Sequence, residues 1–175
     1  IAVLDSGVDS DHDDLADALV AEECFGDNNS GIDGIGFCPN GSDRQSGTGA
    51  GEDDQGHGTN VSGIAVGNGL VASVGVAPDA DLVSVKVLDS LNFFYHVSEI
   101  TAALDWILAN PDVGIDIVNL SLGTGALWED ACEFISKFGE DFFHARSLTL
   151  GNVRTILHNG VEWFLEQLAQ YDDPL

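Results

Sequence analysis

Basic residues are almost missing from this chain. Five Lys and Arg stand against thirty Asp and Glu in 175 residues, giving a formal charge of −25. A surface of that sign repels phosphate backbones and anionic lipid, so neither nucleic acid nor an anionic membrane is expected as a partner. Long apolar runs are missing too. No stretch approaches the roughly 20 residues that a spanning helix needs, so no membrane span is expected. Cysteine is scarce and odd in number, with three residues and no C-x-x-C spacing. That argues against a disulfide framework and against a structural zinc. The first strand is followed by no G-x-G-x-x-G and the chain has no Walker A loop, which ranks a nucleotide-binding α/β reading last. No Met or signal segment precedes Ile1, which already reads as strand interior, so a processed product or a fragment is expected.

What is present reads as globular. Hydrophobic residues make up 44% and mean hydropathy is +0.09, enough for one core in one domain. Ile1-Ala2-Val3-Leu4 is a short apolar run ending at Asp5, as a buried parallel strand would. Residues 26–56, rich in Gly, Asn, Asp and Ser, read as a long surface loop. A helix is expected over Thr59 to Asn68, a second strand over Leu82 to Leu88, and a third over Ile117 to Leu122. Between the last two, Ser98 can cap a helix carrying Ile100, Ala103, Leu104, Ile107 and Leu108, which stops at Asn110-Pro111. Strands alternating with helices imply βαβ units, a mainly parallel sheet and an α/β fold, with ligands gathered beyond the strands' carboxyl ends. From about residue 124 the character changes. Phe134, Phe138, Phe142 and Phe143, then Val161, Phe164, Leu165 and Leu168, recur at helical spacing, so 124–175 is expected to be a divergent helical segment of the same domain.

Cys24 and Cys38 flank the Gly-rich loop, and a bridge between them would contribute about 3 kcal/mol by loop closure. Cys132 is then left over, as a free buried thiol or with a partner outside this chain.

Two local patterns carry chemistry. One is Asp5-Ser6-Gly7-Val8-Asp9, completed by His12, Asp14 and Leu15. The other is Gly56-His57-Gly58-Thr59-Asn60-Val61-Ser62-Gly63, where a histidine between two glycines opens a helix of small residues. An acid at a strand end and a histidine at a helix start can meet across the sheet edge. The acid would accept the Nδ1 proton, and Nε2 would remain free as a general base.

With these stretches, G-V-A-P at 75–78 and S-L-G at 121–123, all in family order, the chain resembles the subtilisin-like serine proteases, or subtilases. The resemblance covers 1–123. It implies a subtilisin-like three-layer domain, C-terminally incomplete, that hydrolyses peptide bonds through an Asp-His-Ser triad. Asp5 is then the acid and His57 the base, and Ser121, Leu122 and Gly123 offer a backbone edge to a peptide or protein substrate, or to an inhibitor. It also implies an extracellular setting, an oxyanion asparagine for which Asn152 is the candidate, and no cofactor for the chemistry. A structural calcium is implied near the first motif, where Asp14 matches a ligand position. The sequence does not indicate an oligomeric state.

The chain departs from the family in the nucleophile. No G-T-S turn follows His57, and Ser136 and Ser147 lack glycine neighbours. The isolated chain is therefore expected to be inactive, and a non-catalytic peptide-binding module is the alternative reading. Phe93-Phe94-Tyr95 replaces a Gly/Ser-rich stretch of the family's peptide groove and is expected to pack into the core or plug that groove. The charge makes its own prediction. Self-repulsion is screened by salt, so the melting temperature should rise between low and molar NaCl, and an unchanged value would contradict this.

Overall fold

The computed structural model describes residues 1–26 and 37–123. Five strands form one sheet: β1 (Ala2–Asp5), β2 (Leu19–Phe25), β3 (Arg44–Ser46), β4 (Leu82–Lys86) and β5 (Val118–Asn119). Their order is β3-β2-β4-β1-β5. All neighbours run parallel except β2 and β3. Among the described residues the sheet is accompanied by two α-helices, α1 (His57–Val66) and α2 (Val97–Ala109), and a short 3-10 turn, Pro111–Val113.

The two-residue period of the strands decides what each face carries. Ala2 and Leu4 of β1, with Val83 and Val85 of β4 and then Val87, pack against Ile100, Ala103 and Ile107 of α2. Val3 and Leu82 point the other way and pack with Val66 of α1. The alternation leaves Asp5, Ser84 and Lys86 on the α1 face, all fully buried. Two apolar clusters on opposite faces of one sheet make the three-layer α/β arrangement, and the polar positions of β1 and β4 are all turned toward the helix that starts with His57.

Several expectations shift. β2 is not legible in the sequence, because Glu22 and Glu23 interrupt its apolar pattern. Both are buried all the same. The Glu22 carboxylate accepts the amides of Gly49 and Gly51 at 3.0 and 3.2 Å, and Glu23 accepts the Ser46 hydroxyl at 2.7 Å. Buried acids are tolerated where such donors meet them. β3 likewise lies inside the stretch expected to be only loop. Helix α2 begins one residue before Ser98, with His96 at the cap position and no side-chain cap. The third strand shortens to Val118–Asn119.

Cys24 and Cys38 are joined by a disulfide, which fastens the end of β2 to the start of the segment leading into β3. Phe25, next to it, packs against Trp106 of α2 and lies under the Arg44 guanidinium at 4.5 Å. The bridge spans 14 positions, so reduction should lower the unfolding free energy by about 3 kcal/mol. Urea denaturation with and without reductant measures it, and coincident curves would contradict it.

Candidate active site

His57 is the first residue of α1, and Asp5 is the last of β1. The His57 Nδ1 lies 2.7 Å from Asp5 Oδ1. The same carboxylate oxygen accepts the Ser6 amide at 2.7 Å. Asp5 is wholly buried, whereas the imidazole is about one-third exposed, at 37%. A buried carboxylate facing Nδ1 fixes the hydrogen on that nitrogen and leaves Nε2 as the basic one. The second oxygen of Asp5 is buried without a hydrogen-bond partner among the described residues.

The close approach depends on two glycines. Gly7 has φ of +113°, and a Cβ there would sit 2.6 Å from the Gly51 carbonyl oxygen. At Gly58 a Cβ would overlap the Gly7 carbonyl oxygen and stand 3.0 Å from the Asp5 Cβ. Without a side chain, Gly58 lets α1 settle onto the turn after β1, and Gly7 lets the 51–52 segment lie against that turn.

A helix start leaves its first amides without intrahelical partners, and the cap residue Gly56 has no side chain to meet them. Three side chains from elsewhere do so. Gln55 Oε1 accepts the His57 amide at 2.8 Å, Ser6 Oγ accepts the Gly58 amide at 2.9 Å, and Asp53 Oδ2 accepts the Thr59 amide at 3.0 Å. Asp53 also accepts the Ser6 hydroxyl, the Gln55 and Gly56 amides and the Thr59 hydroxyl. Burial works against ionisation of Asp53. The Thr59 hydroxyl and the amides of Gly56, Gln55 and Thr59 outweigh it and hold the carboxyl below its ordinary value. None of Ser6, Asp53 or Gln55 stood out in the sequence as a site residue. An acid four positions ahead of a helix-opening histidine is the one signal that could have drawn attention to Asp53.

Ser121, Leu122 and Gly123, with Leu120, line one side of a cavity of about 370 Å³, and Leu88 and Asn92 line the other. The sheet order places β1 between β4 and β5, so the walls stand on either side of the strand end that carries Asp5. Neither Asp5 nor His57 lines the cavity itself. The aromatics do not plug it. Phe93 is exposed and Phe94 packs against the α2-side core. The Tyr95 hydroxyl donates to Asp89 Oδ2 at 2.9 Å, which pushes its pKa up. Asp89 gathers this loop, its other oxygen accepting the Leu91 and Phe93 amides at 2.9 Å each.

Asp14 anchors a backbone turn. Its carboxylate accepts the amides of Leu70, Val71 and Ala72 at 2.5, 2.9 and 2.9 Å. Calcium takes six to eight oxygen donors, of which Asp14 could supply at most two. The hydrogen bond from Val71 leads those from Ala72 and Leu70 in holding the Asp14 carboxyl below its ordinary value, against burial. Among the described residues, no group of three or more His, Cys, Asp and Glu is placed to hold a metal. Asn152, Cys132, Ser136 and Ser147 lie outside the described residues.

Residues 1–155 match the Subtilase family, Peptidase S8. Subtilisin E of Bacillus subtilis (strain 168) is 38% identical over 124 residues, 70% of this chain and 26% of that protein. An intracellular serine protease of Paenibacillus polymyxa is 34% identical over 128 residues, 70% of this chain and 32% of its own length. Among solved structures, Sphericase matches with a TM-score of 0.57 and 28% identity, covering 82% of this chain and 41% of that one. The chain thus spans about a quarter to a third of the two sequence relatives.

The depressed carboxyls of Asp14 and Asp53 predict acid sensitivity with a definite sign. Each binds its proton less readily folded than unfolded, so its stabilisation is complete above the ordinary aspartate range. It is lost as pH falls below about 4 toward the folded value. Asp9, hydrogen-bonded to Asp11, and the buried Glu23 are shifted the opposite way, so the difference between variants is the informative quantity. Melting temperature from pH 6 to pH 2 should fall less steeply for Asp14→Asn and Asp53→Asn than for the unaltered chain. Parallel curves would contradict this.

Proposed function

The chain belongs to the subtilase family, and on that premise we propose that residues 1–123 hold the acid, the base and one substrate wall of a serine endopeptidase domain. The observation that carries this reading is the 2.7 Å contact between the buried Asp5 carboxylate and His57 Nδ1. Asp5 orients the imidazole and stabilises the imidazolium that forms. Nε2 of His57 takes the proton of a serine hydroxyl as it attacks the scissile carbonyl, then returns that proton to the leaving amine. Water releases the acyl group by the same route in reverse. The serine has no G-T-S counterpart in this sequence, so this chain by itself supplies the base without its nucleophile. Because triad members act as a unit, the isolated chain then loses nearly all triad-dependent rate.

Substrate is a peptide or protein segment in extended form. The Ser121–Gly123 backbone would pair with it as an added strand, and the cavity between Leu88 and Leu122 would take a side chain. The Cys24–Cys38 bridge supports an oxidising, extracellular location. No described helix is long and apolar enough to cross a membrane. The cavity also supports a second reading, a peptide-binding pseudoprotease, since it needs no serine to form.

Two measurements test the proposal. A fluorophosphonate probe should leave the 175-residue chain unlabelled, and a stoichiometric adduct on any of its serines would overturn the missing nucleophile. A tight proteinaceous subtilase inhibitor should bind it in calorimetry, and absence of heat would overturn the substrate wall. A G-T-S-x-A turn encoded beyond residue 123 in any reading frame separates the endopeptidase from the pseudoprotease.

A further inference from the structure

Lysine occurs twice in this sequence, at 86 and 137, and Lys86 is wholly buried. An ammonium is expensive to remove from water unless its donors are met. Here the Nζ donates to the Ser6 carbonyl oxygen at 2.5 Å and to Asp54 Oδ1 at 2.7 Å. Those acceptors belong to the two halves of the site. Ser6 follows Asp5 in the turn after β1, and Asp54 lies three residues ahead of His57 in the loop before α1. Lys86 is also the register partner of Asp5 on the neighbouring strand, so both side chains rise from the same face of the sheet, toward α1.

We propose that Lys86 is a positioning residue for the Asp5–His57 pair: its buried ammonium fastens the turn after β1 to the loop before α1 and so sets the approach of imidazole to carboxylate. An apolar side chain would fill the same space at less desolvation cost, but it would leave the Ser6 carbonyl and Asp54 without their common donor. The Ser6–Asp53 hydrogen bond, 2.9 Å, is a second and separate tie between the same segments. Removing Lys86 therefore loosens the junction locally rather than dismantling the fold. The charged groups that these hydrogen bonds bring to this side of the sheet are Asp5, Asp53, Asp54 and, when protonated, His57.

The inference rests on the Asp5–His57 pairing of the proposed function, and its test reads that pairing directly, without any hydrolysis. In proton NMR of the 175-residue chain, the hydrogen-bonded His57 Nδ1–H should give a protected low-field signal. In Lys86→Met that proton should exchange with solvent at least roughly tenfold faster, while sheet amides of β4 such as Val85 keep their protection. General destabilisation would speed both together. A folded Lys86→Met with unchanged Nδ1–H exchange overturns the role of Lys86 and leaves the pairing intact. A wild-type chain without the signal overturns the pairing and both readings with it. Asp54 is half-exposed, so Asp54→Ala, which removes the acceptor, decides the matter if Lys86→Met does not fold. It should also speed Nδ1–H exchange severalfold, and an unchanged rate overturns the proposal.

Discussion

A buried carboxylate at the end of a strand, held against an imidazole at the start of a helix, is the constraint around which this structure is arranged. Asp5 is fully buried, and a charge there is tolerated only where donors surround it. The Ser6 amide and the His57 ring both supply them to Oδ1. Meeting that requirement brings α1 down onto the turn after β1. That approach in turn demands glycine at 58, glycine at 7 where the 51–52 segment lies against the turn, and a route for the loop from Glu52 to Gly56 that keeps its own polar groups satisfied.

The polar network around the pair follows the same logic. The first amides of α1 are capped by Gln55, Ser6 and Asp53 rather than by the residue at the cap position. The helix start is thereby tied to both the strand end and its own approach loop. Glu22 does the equivalent job two strands further out, on β2, where its carboxylate collects the amides of Gly49 and Gly51. Ser84 closes the same loop from below by donating to the Gly51 carbonyl. Buried polar groups specify a geometry because each has few ways to be satisfied. Here they all specify how β1, β2, β4 and the 47–59 segment meet.

The strands of the core were legible where one face could be apolar throughout, as in Ala2–Asp5 and Leu82–Lys86. β2 was hidden because two acids interrupt it, and the donors that make them acceptable come from residues 46–51, more than twenty positions away. Helix α2 is legible from its apolar stripe, but its cap position is His96 rather than Ser98, because a serine that could cap a helix does not do so here. Asp5 and His57 stood out through their glycine-flanked surroundings. Asp53, Ser6 and Lys86 did not, since nothing local distinguishes a loop acid, a turn serine or a strand lysine from ordinary surface residues. Asp14 stands out in the sequence through its motif, and the role the folded arrangement adds is to anchor the amides of residues 70–72.

Local pattern alone determined the α/β class, the parallel core strands, the acid and histidine of the pair and the absence of a recognisable nucleophile turn. These are properties of residue type, order and short spacing. Only the folded arrangement decided which buried polar groups serve the pair and which merely sit near it in the chain. It also decided that the three aromatics leave the Ser121–Gly123 cavity open, and that a lysine with so few basic companions lies inside the protein. For the polar groups and the lysine, hydrogen bonds such as Lys86–Asp54, Ser6–Asp53 and Lys86–Ser6, 32, 47 and 80 positions apart, settle the matter, and such partners are chosen by the sheet order and register, which no local spacing encodes.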